Sequence, residues 1–273
     1  MIRKFRLAAE RHVPVFTHVR SANVVDPGSG IQSVEEAIGA ATVTGASLHI
    51  VHINSMCTKQ SLECLAMIAG ARARGSTAAY PCGAAMTYIN SAAFNPGWRE
   101  AQGLDYNDLA LPDTGERMTR ERFDSLHASP RKQLVLMYVN PESVVEAVMP
   151  NPLVIVASDG ALGHPRNSGT YSRILAHYVR DLGSITLMDA LRKMSLMPAQ
   201  RMEKATAAAK YKGRLQEGAD ADIGVFDPRT ILDHATYKTP LEPSTGMRFV
   251  IVNGVVLIDK GALVPNSFPG KAL

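Results

Sequence analysis

The sequence has little of what marks secreted, membrane-spanning or nucleic-acid-binding proteins. Its 273 residues include only three cysteines, Cys57, Cys64 and Cys82, an odd number without the CxxC spacing of metal sites. No apolar run approaches the roughly 20 residues that cross a bilayer, and the N-terminus lacks the features of a signal peptide. Lys and Arg are scattered and the net charge is only +4, which argues against nucleic acid or anionic membranes as partners. We therefore expect no disulfide framework, and a protein of the reducing cytoplasm.

What is present is a series of short apolar runs separated by helical segments. Four such runs are followed or ended by polar residues, and they lie at Val13–Phe16, Leu48–Ile53, Ser76–Tyr80 and Leu153–Ala157. Intervening helices favour a parallel sheet, because parallel neighbours need a crossover connection. The carboxyl ends of all four strands should then lie at one edge of the sheet.

Helix boundaries are indicated by capping patterns. Ser33 and Glu36 have capping-box spacing, which predicts a helix from about Ser33 to Thr44 that Gly45 closes. Thr186 lies near the start of a second helix, predicted over Ser184–Met197 and ended by Pro198.

Two segments depart from this rhythm. Residues 84–132 are rich in turn-forming residues, contain the only tryptophan, Trp98, and are too long for a routine connection, so we expect a lid or insertion. From Gly213 the pattern becomes that of β structure, with a hairpin at Asn253-Gly254. We therefore divide the chain into an α/β part, 1–205, and a small β module, 206–273.

Three strand ends carry residues that bind divalent metals. His18, His52 and Asp159 follow or end separate runs, and neutral imidazoles with an ionised carboxylate suit zinc. Each residue alone has a plainer explanation: Asp159 can cap the following helix, and a single strand-end histidine is more often a hydrogen-bonded core residue. Together they favour a metal site. His49, three residues before His52, is expected to pack in the core.

Longer stretches resemble a known enzyme family. The blocks THVR, VHINS, YPCG, SDGALGHPRNSGTYSRILAHYVRD and GRLQEGADADIGVFDP are similar to the second half of amidohydrolase-superfamily enzymes, above all the N-acyl-D-amino-acid deacylases. The resemblance covers nearly the whole chain. It implies the C-terminal half of a metal-dependent (β/α)8 TIM-like barrel, strands five to eight, followed by part of a composite β-sandwich module.

The resemblance also implies residue roles. His18 and His52 would bind one of one or two zinc ions, and Asp159 would act as a further ligand and as general base and acid while metal-bound hydroxide attacks the amide. Arg166 would pair with the substrate carboxylate, with Tyr80 assisting. The implied substrates are N-acyl-D-amino acids, such as N-acyl-D-glutamate.

Some residues of the family pattern are missing. The HxH or HxD pair of the first barrel strand and the later bridging Cys, Glu or modified Lys do not occur. Asn54 stands where deacylases often have a lysine, and Cys82 is a weak candidate for a substitute ligand. We expect the chain to be a fragment or truncated product, or to complete its barrel with another copy or a separate N-terminal chain.

Alternatives remain open from the sequence. Within the superfamily, the chain could be a cyclic-amide hydrolase resembling dihydroorotase or dihydropyrimidinase. From a different class, it could be a non-catalytic homologue that acts through subunit association. His164, beside Arg166 in the predicted loop, is equally consistent with a pocket residue and a solvated one.

Overall fold

A computed structural model describes residues 1–71, 76–79, 83–158, 160 and 164–272, with the backbone alone at 76–79. The helices are α1 (Ile2–Glu10), α2 (Gly30–Thr44), α3 (Ile53–Cys57), α4 (Ser61–Gly70), α5 (Trp98–Gln102), α6 (Arg120–His127), α7 (Glu142–Val148), α8 (Arg166–Arg173), α9 (Leu187–Leu191) and α10 (Met197–Met202). The strands are β1 (Pro14–Thr17), β2 (Ser47–Ile50), β3 (Ser76–Ala79), β4 (Ala85–Tyr88), β5 (Leu109–Ala110), β6 (Leu134–Met137), β7 (Val154–Val156), β8 (Ile223–Phe226), β9 (Met247–Val252), β10 (Val255–Asp259) and β11 (Ala262–Leu263).

The four runs predicted as parallel strands form one sheet. Its order is β1-β2-β3-β7, and every neighbouring pair is parallel. Helices cover the sheet, and residues of β2 and β7 such as Leu48, Ile50, Val154 and Val156 are buried in the main hydrophobic core. Full burial of each aliphatic side chain contributes about 1.5–3 kcal/mol. The predicted α/β sheet and its common carboxyl edge are confirmed.

Two helix boundaries were predicted wrongly. Helix α2 begins at Gly30 with Ser29 as its cap, whose hydroxyl accepts from the Gln32 N–H at 3.1 Å; Ser29 and Gln32 have the same capping-box spacing as Ser33 and Glu36, one turn earlier. Pro198 does not end its helix. A π-helical segment, Arg192–Leu196, follows α9, and Pro198 lies in the first turn of α10, where a missing N–H is tolerated.

A second, antiparallel sheet follows the parallel strands β1, β2 and β3 in the chain. It has the order β4-β6-β5 and its own core, in which Phe94, Trp98 and Phe123 pack in aromatic contacts with centroid separations of 5.2–5.4 Å. Much of the segment predicted as a lid or insertion is therefore folded around its own core.

The C-terminal strands form a four-stranded antiparallel sheet, β11-β10-β9-β8. The predicted hairpin joins β9 to β10, with positive φ angles of 48° at Asn253 and 79° at Gly254. Such angles at both central residues are those of the tight turn that Asn-Gly favours.

One cysteine pair differs from expectation. Cys57 and Cys64 are joined by a disulfide, because a 3-10 turn, Thr58–Gln60, turns the chain from α3 into α4 and brings them together. Cys82 lies outside the described residues. Within the part of the chain that the structure describes, every helix is too short or too polar to cross a membrane.

Candidate metal and substrate site

His18 directly follows β1, at the carboxyl edge of the parallel sheet. Its Nδ1 lies 2.6 Å from the carbonyl oxygen of Val19. Since a carbonyl oxygen can only accept, Nδ1 carries the proton and the lone pair is on Nε2. Histidines that bind metals are commonly held in this way, with one ring N–H bonded to a carbonyl and the other nitrogen facing the ion.

His52 comes two residues after β2 and precedes α3. Its backbone has a left-handed conformation, with φ of 33°, which costs a non-glycine residue on the order of 1–3 kcal/mol and is typical of functional sites. Because Thr17 pairs with Ile50 in the sheet, the residues beyond both strands are brought side by side. The ring centroids of His18 and His52 are 4.5 Å apart, with the rings at 72°.

The donor chemistry of this pair fits zinc. Zinc binds imidazole nitrogens at about 2.0–2.1 Å, and two rings at this separation can reach one ion. No group of three or more His, Cys, Asp or Glu residues suited to a metal occurs among the described residues. Asp159, the predicted third member, and Tyr80 both lie outside them, so their roles stay predictions.

Arg166 begins α8 and is only 8% exposed. Both its backbone N–H and its Nε–H donate to Nδ1 of His164, at 3.1 and 3.0 Å. His164 is completely buried, so of the two possibilities that the sequence left open, a solvated loop residue is wrong. The HxR spacing does not predict the bond between His164 and Arg166, because this bond depends on how the loop folds back.

One cavity of about 680 Å³ joins these residues. His18, His52 and Arg166 line it together with side chains of the second sheet and α5. Its walls include apolar side chains, namely Met56, Ala85, Met86, Ala92, Ala93, Pro96, Trp98, Ala101, Met137 and Val139. The cavity thus has two imidazoles, the guanidinium groups of Arg20 and Arg166, and an extended apolar surface, which suits a small molecule with a carboxylate and an apolar part.

A further histidine near the site, His49, has a structural role. His49 is 1% exposed and its ring lies 4.5 Å from that of Phe16. Burial, with a contribution from Arg201, lowers its pKa to about 3. His49 is therefore neutral at physiological pH and packs as predicted. Asn54, at the position where deacylases often have a lysine, is completely buried.

Comparison with known proteins identifies relatives of this chain. No protein-family model matches the chain. The N-acyl-D-glutamate deacylase of Alcaligenes xylosoxydans xylosoxydans is 28% identical over 283 residues, which cover 98% of this chain and 56% of the relative. The D-aminoacylase of the same organism is 34% identical over 160 residues, covering 57% of this chain and 31% of the relative. The chain is a homologue of the N-acyl-D-amino-acid deacylases. The family resemblance drawn from its sequence motifs is thereby confirmed.

Solved structures agree with this homology. A D-aminoacylase, described as defining a novel subset of amidohydrolases, has a TM-score of 0.76 at 24% identity, over 97% of this chain and 57% of that one. The N-acyl-D-glutamate deacylase of Bordetella bronchiseptica was solved with zinc and a phosphonate inhibitor. It has a TM-score of 0.76 at 25% identity, over 93% of this chain and 54% of that one. This deacylase homologue spans a little over half the length of these relatives. An L-hydantoinase at 14% identity and a TM-score of 0.52 shares the fold alone.

Proposed function

We propose that this chain supplies the C-terminal half of the active site of a zinc-dependent hydrolase of N-acyl-D-amino acids. The observation that carries the proposal is the meeting of two imidazoles, from His18 and His52, with the Arg166 guanidinium in one cavity. The homologous deacylases act on N-acyl-D-amino acids, and an arginine beside a pair of candidate metal ligands matches a substrate that has both an amide and a carboxylate.

The residues of the chain would divide the work as follows. His18, His52 and Asp159 would hold the metal, one or two ions in the complete enzyme. Zinc, when bound, lowers the pKa of water and polarises the amide carbonyl. Asp159 would take a proton from the attacking water and return it to the departing amine, as the amide C–N bond breaks and a C–O bond forms. Arg166 would hold the α-carboxylate, with Tyr80 assisting.

In this proposal β1, β2, β3 and β7 are strands five to eight of a (β/α)8 barrel, which places the four carboxyl ends at its mouth. Among the described strands, β1 and β7 are the outer members of the parallel sheet, and outer strands readily pair with another chain. We expect the purified chain to associate with itself or with an N-terminal chain. Light scattering after gel filtration of the chain alone tests the first possibility, self-association, and a mass of 29.4 kDa at every concentration would contradict self-association.

Substrate choice is tested with the zinc-loaded chain. The expected result is release of free amine from N-acetyl-D-amino acids, slower by at least about tenfold from the L-enantiomers. The guanidinium, the metal and the apolar wall of the cavity would contact the carboxylate, the amide and the side chain, three points that only one enantiomer can meet at once. Arg166→Met should raise KM for the acids. Hydrolysis of hydantoins or dihydropyrimidines without hydrolysis of N-acetyl-D-amino acids would favour the cyclic-amide alternative and contradict the proposal.

A further inference from the structure

His164 has no assigned role, yet it accepts a hydrogen bond from the Arg166 guanidinium. Nδ1 of His164 accepts from the backbone N–H of Arg166 at 3.1 Å and from its Nε–H at 3.0 Å. Two donors thus meet at one ring nitrogen. Because both partners donate, Nδ1 must carry the lone pair, and the ring proton is on Nε2.

The other side of the His164 ring is also held. Nε2 lies 3.4 Å from the carbonyl oxygen of Ala84, to which its N–H donates. The hydroxyl of Tyr237 donates to the same oxygen at 3.4 Å. The Tyr237 ring meets the His164 ring edge-on, with centroids 5.1 Å apart at 81°. The carbonyl of Ala84 and the ring of Tyr237 therefore fix both the tautomer and the plane of the imidazole.

These contacts link three parts of the molecule. Ala84 immediately precedes β4 of the antiparallel sheet, Tyr237 lies between β8 and β9 of the C-terminal module, and Arg166 begins α8. His164 is completely buried where they meet. The His164 ring is buried and held on both sides, so its contacts restrict its rotation. The Arg166 side chain, which is hydrogen-bonded to this ring, is therefore restricted as well.

We propose that His164 is a positioning residue that holds Arg166 in the orientation that binds the substrate carboxylate. This role rests on the proposed function, because it assigns the carboxylate to Arg166. With Nε committed to His164, the guanidinium meets a carboxylate through its two Nη groups, the pair whose geometry matches both carboxylate oxygens. The neutral imidazole acts here as an acceptor and as a rigid support.

Loss of the acceptor should weaken carboxylate binding specifically. A hydrogen bond to a charged group is among the stronger ones in proteins, so its loss should change Kd by roughly tenfold or more. His164→Ala should therefore weaken binding of an N-acyl-D-amino acid about tenfold. Binding of the same compound with its carboxylate converted to a carboxamide should change little, since an amide does not need the charged pair.

The single tryptophan gives a direct binding signal. Trp98 lines the cavity, so its fluorescence reports on occupancy without any turnover. The probes are N-acetyl-D-leucine and N-acetyl-D-leucinamide, titrated into the full chain and into His164→Ala, His164→Asn, Arg166→Met and the double variant His164→Ala, Arg166→Met. His177→Gln is the matched control, because His177 bonds to Glu142 at 3.0 Å. Thermal unfolding verifies that each variant is folded.

The expected pattern has three parts. His164→Ala weakens the acid probe about tenfold and the amide probe little. His164→Asn, which can accept and donate with its amide, regains much of the affinity. In the Arg166→Met background, His164→Ala adds nothing, because the residue through which it acts is gone. Equal loss for both probes in a folded His164→Ala variant, or full additivity in the double variant, would overturn the positioning role.

Nitrogen NMR of the histidine ring separates this role from the proposed function. The role predicts an unprotonated Nδ1 and a protonated Nε2 for His164, with an Nδ1 resonance that shifts in Arg166→Met. The opposite tautomer would overturn the inference by itself. If the unaltered chain shows the expected tautomer but binds neither probe, the proposed function fails and the positioning role fails with it.

Discussion

At the scale of single residues, the site depends on which nitrogen of each imidazole carries the proton. The carbonyl of Val19 fixes the proton of His18 on Nδ1, and the two N–H groups of Arg166 fix that of His164 on Nε2. The two rings are therefore set for different tasks: His18 can offer a lone pair to a metal, whereas His164 uses its lone pair to hold an arginine.

His49 predicts a pH dependence of stability. Its pKa is lowered from 6.5 to about 3 by burial and by Arg201, so below pH 6.5 the unfolded chain binds a proton that the folded chain does not. The free energy of unfolding should then fall by up to about 1.4 kcal/mol for each pH unit between 6.5 and 3. Denaturant unfolding at pH 7.5, 6, 5 and 4 measures this slope.

The matched variants for this measurement are His49→Gln and His12→Gln, since His12 is exposed. His49→Gln should flatten the pH dependence, and His12→Gln should leave it as in the unaltered chain. An equal slope in His49→Gln and in the unaltered chain would show that other groups cause the acid sensitivity.

Residue types at strand ends could be predicted from sequence, but their contacts could not. His18, His52 and Arg166 are candidate site residues from the sequence, the first two from their positions after apolar runs and the third from the family motif, and the structure places them around one cavity. The bond between His164 and Arg166 depends on a loop conformation and on Ala84, 80 residues away. No local pattern encodes a contact of that range.

At the scale of elements, helix α2 shows how packing decides what capping patterns leave open. Two capping-box spacings compete, at Ser29 and at Ser33, and the helix starts at the earlier one. Gly30, its first residue, packs against the backbone of α3, where an added Cβ would collide with the carbonyl of Met56. Ser33 lies inside the helix and accepts a hydrogen bond from Ser21 N–H at 3.2 Å.

Two glycines of α2 therefore predict opposite effects of the same substitution. Gly30→Ala should destabilise the fold by about 1–3 kcal/mol, because the methyl group has no room beside rigid backbone. Gly39→Ala should stabilise it by about 0.5–1 kcal/mol, since a Cβ there has nothing within 4 Å and alanine favours the helix. Denaturant unfolding of both variants at pH 7.5 tests the pair. Equal changes of the same sign would contradict the packing of α2 on α3.

At the scale of the whole molecule, the Asn-Gly hairpin could be predicted because it joins neighbouring segments, and the parallel sheet could be predicted because helices separate its strands. The antiparallel sheet could not be, since β4 pairs with β6 across more than 40 intervening residues. The disulfide was also missed: cysteine count and spacing argued against a framework, while the turn at Thr58–Gln60 brings one pair together.

The molecule as a whole brings the sheet edge with His18 and His52, the Arg166 side chain and an apolar surface of the antiparallel sheet and α5 around one cavity. The chain matches a little over half of the length of deacylases that share its fold. The central claim is that His18 and His52, 34 positions apart in the sequence, bind one ion between them.

Zinc content after equilibrium dialysis against a zinc buffer tests that claim most directly. The chain should retain at least one zinc per copy, and His18→Ala and His52→Ala should each weaken zinc binding by at least about tenfold, the smallest effect expected when a site loses part of its coordination. His234→Ala is the control, because His234 bonds to Thr245 in the C-terminal part at 2.9 Å, and it should retain zinc fully. Zinc retention by His18→Ala and His52→Ala equal to that of the unaltered chain would contradict the account.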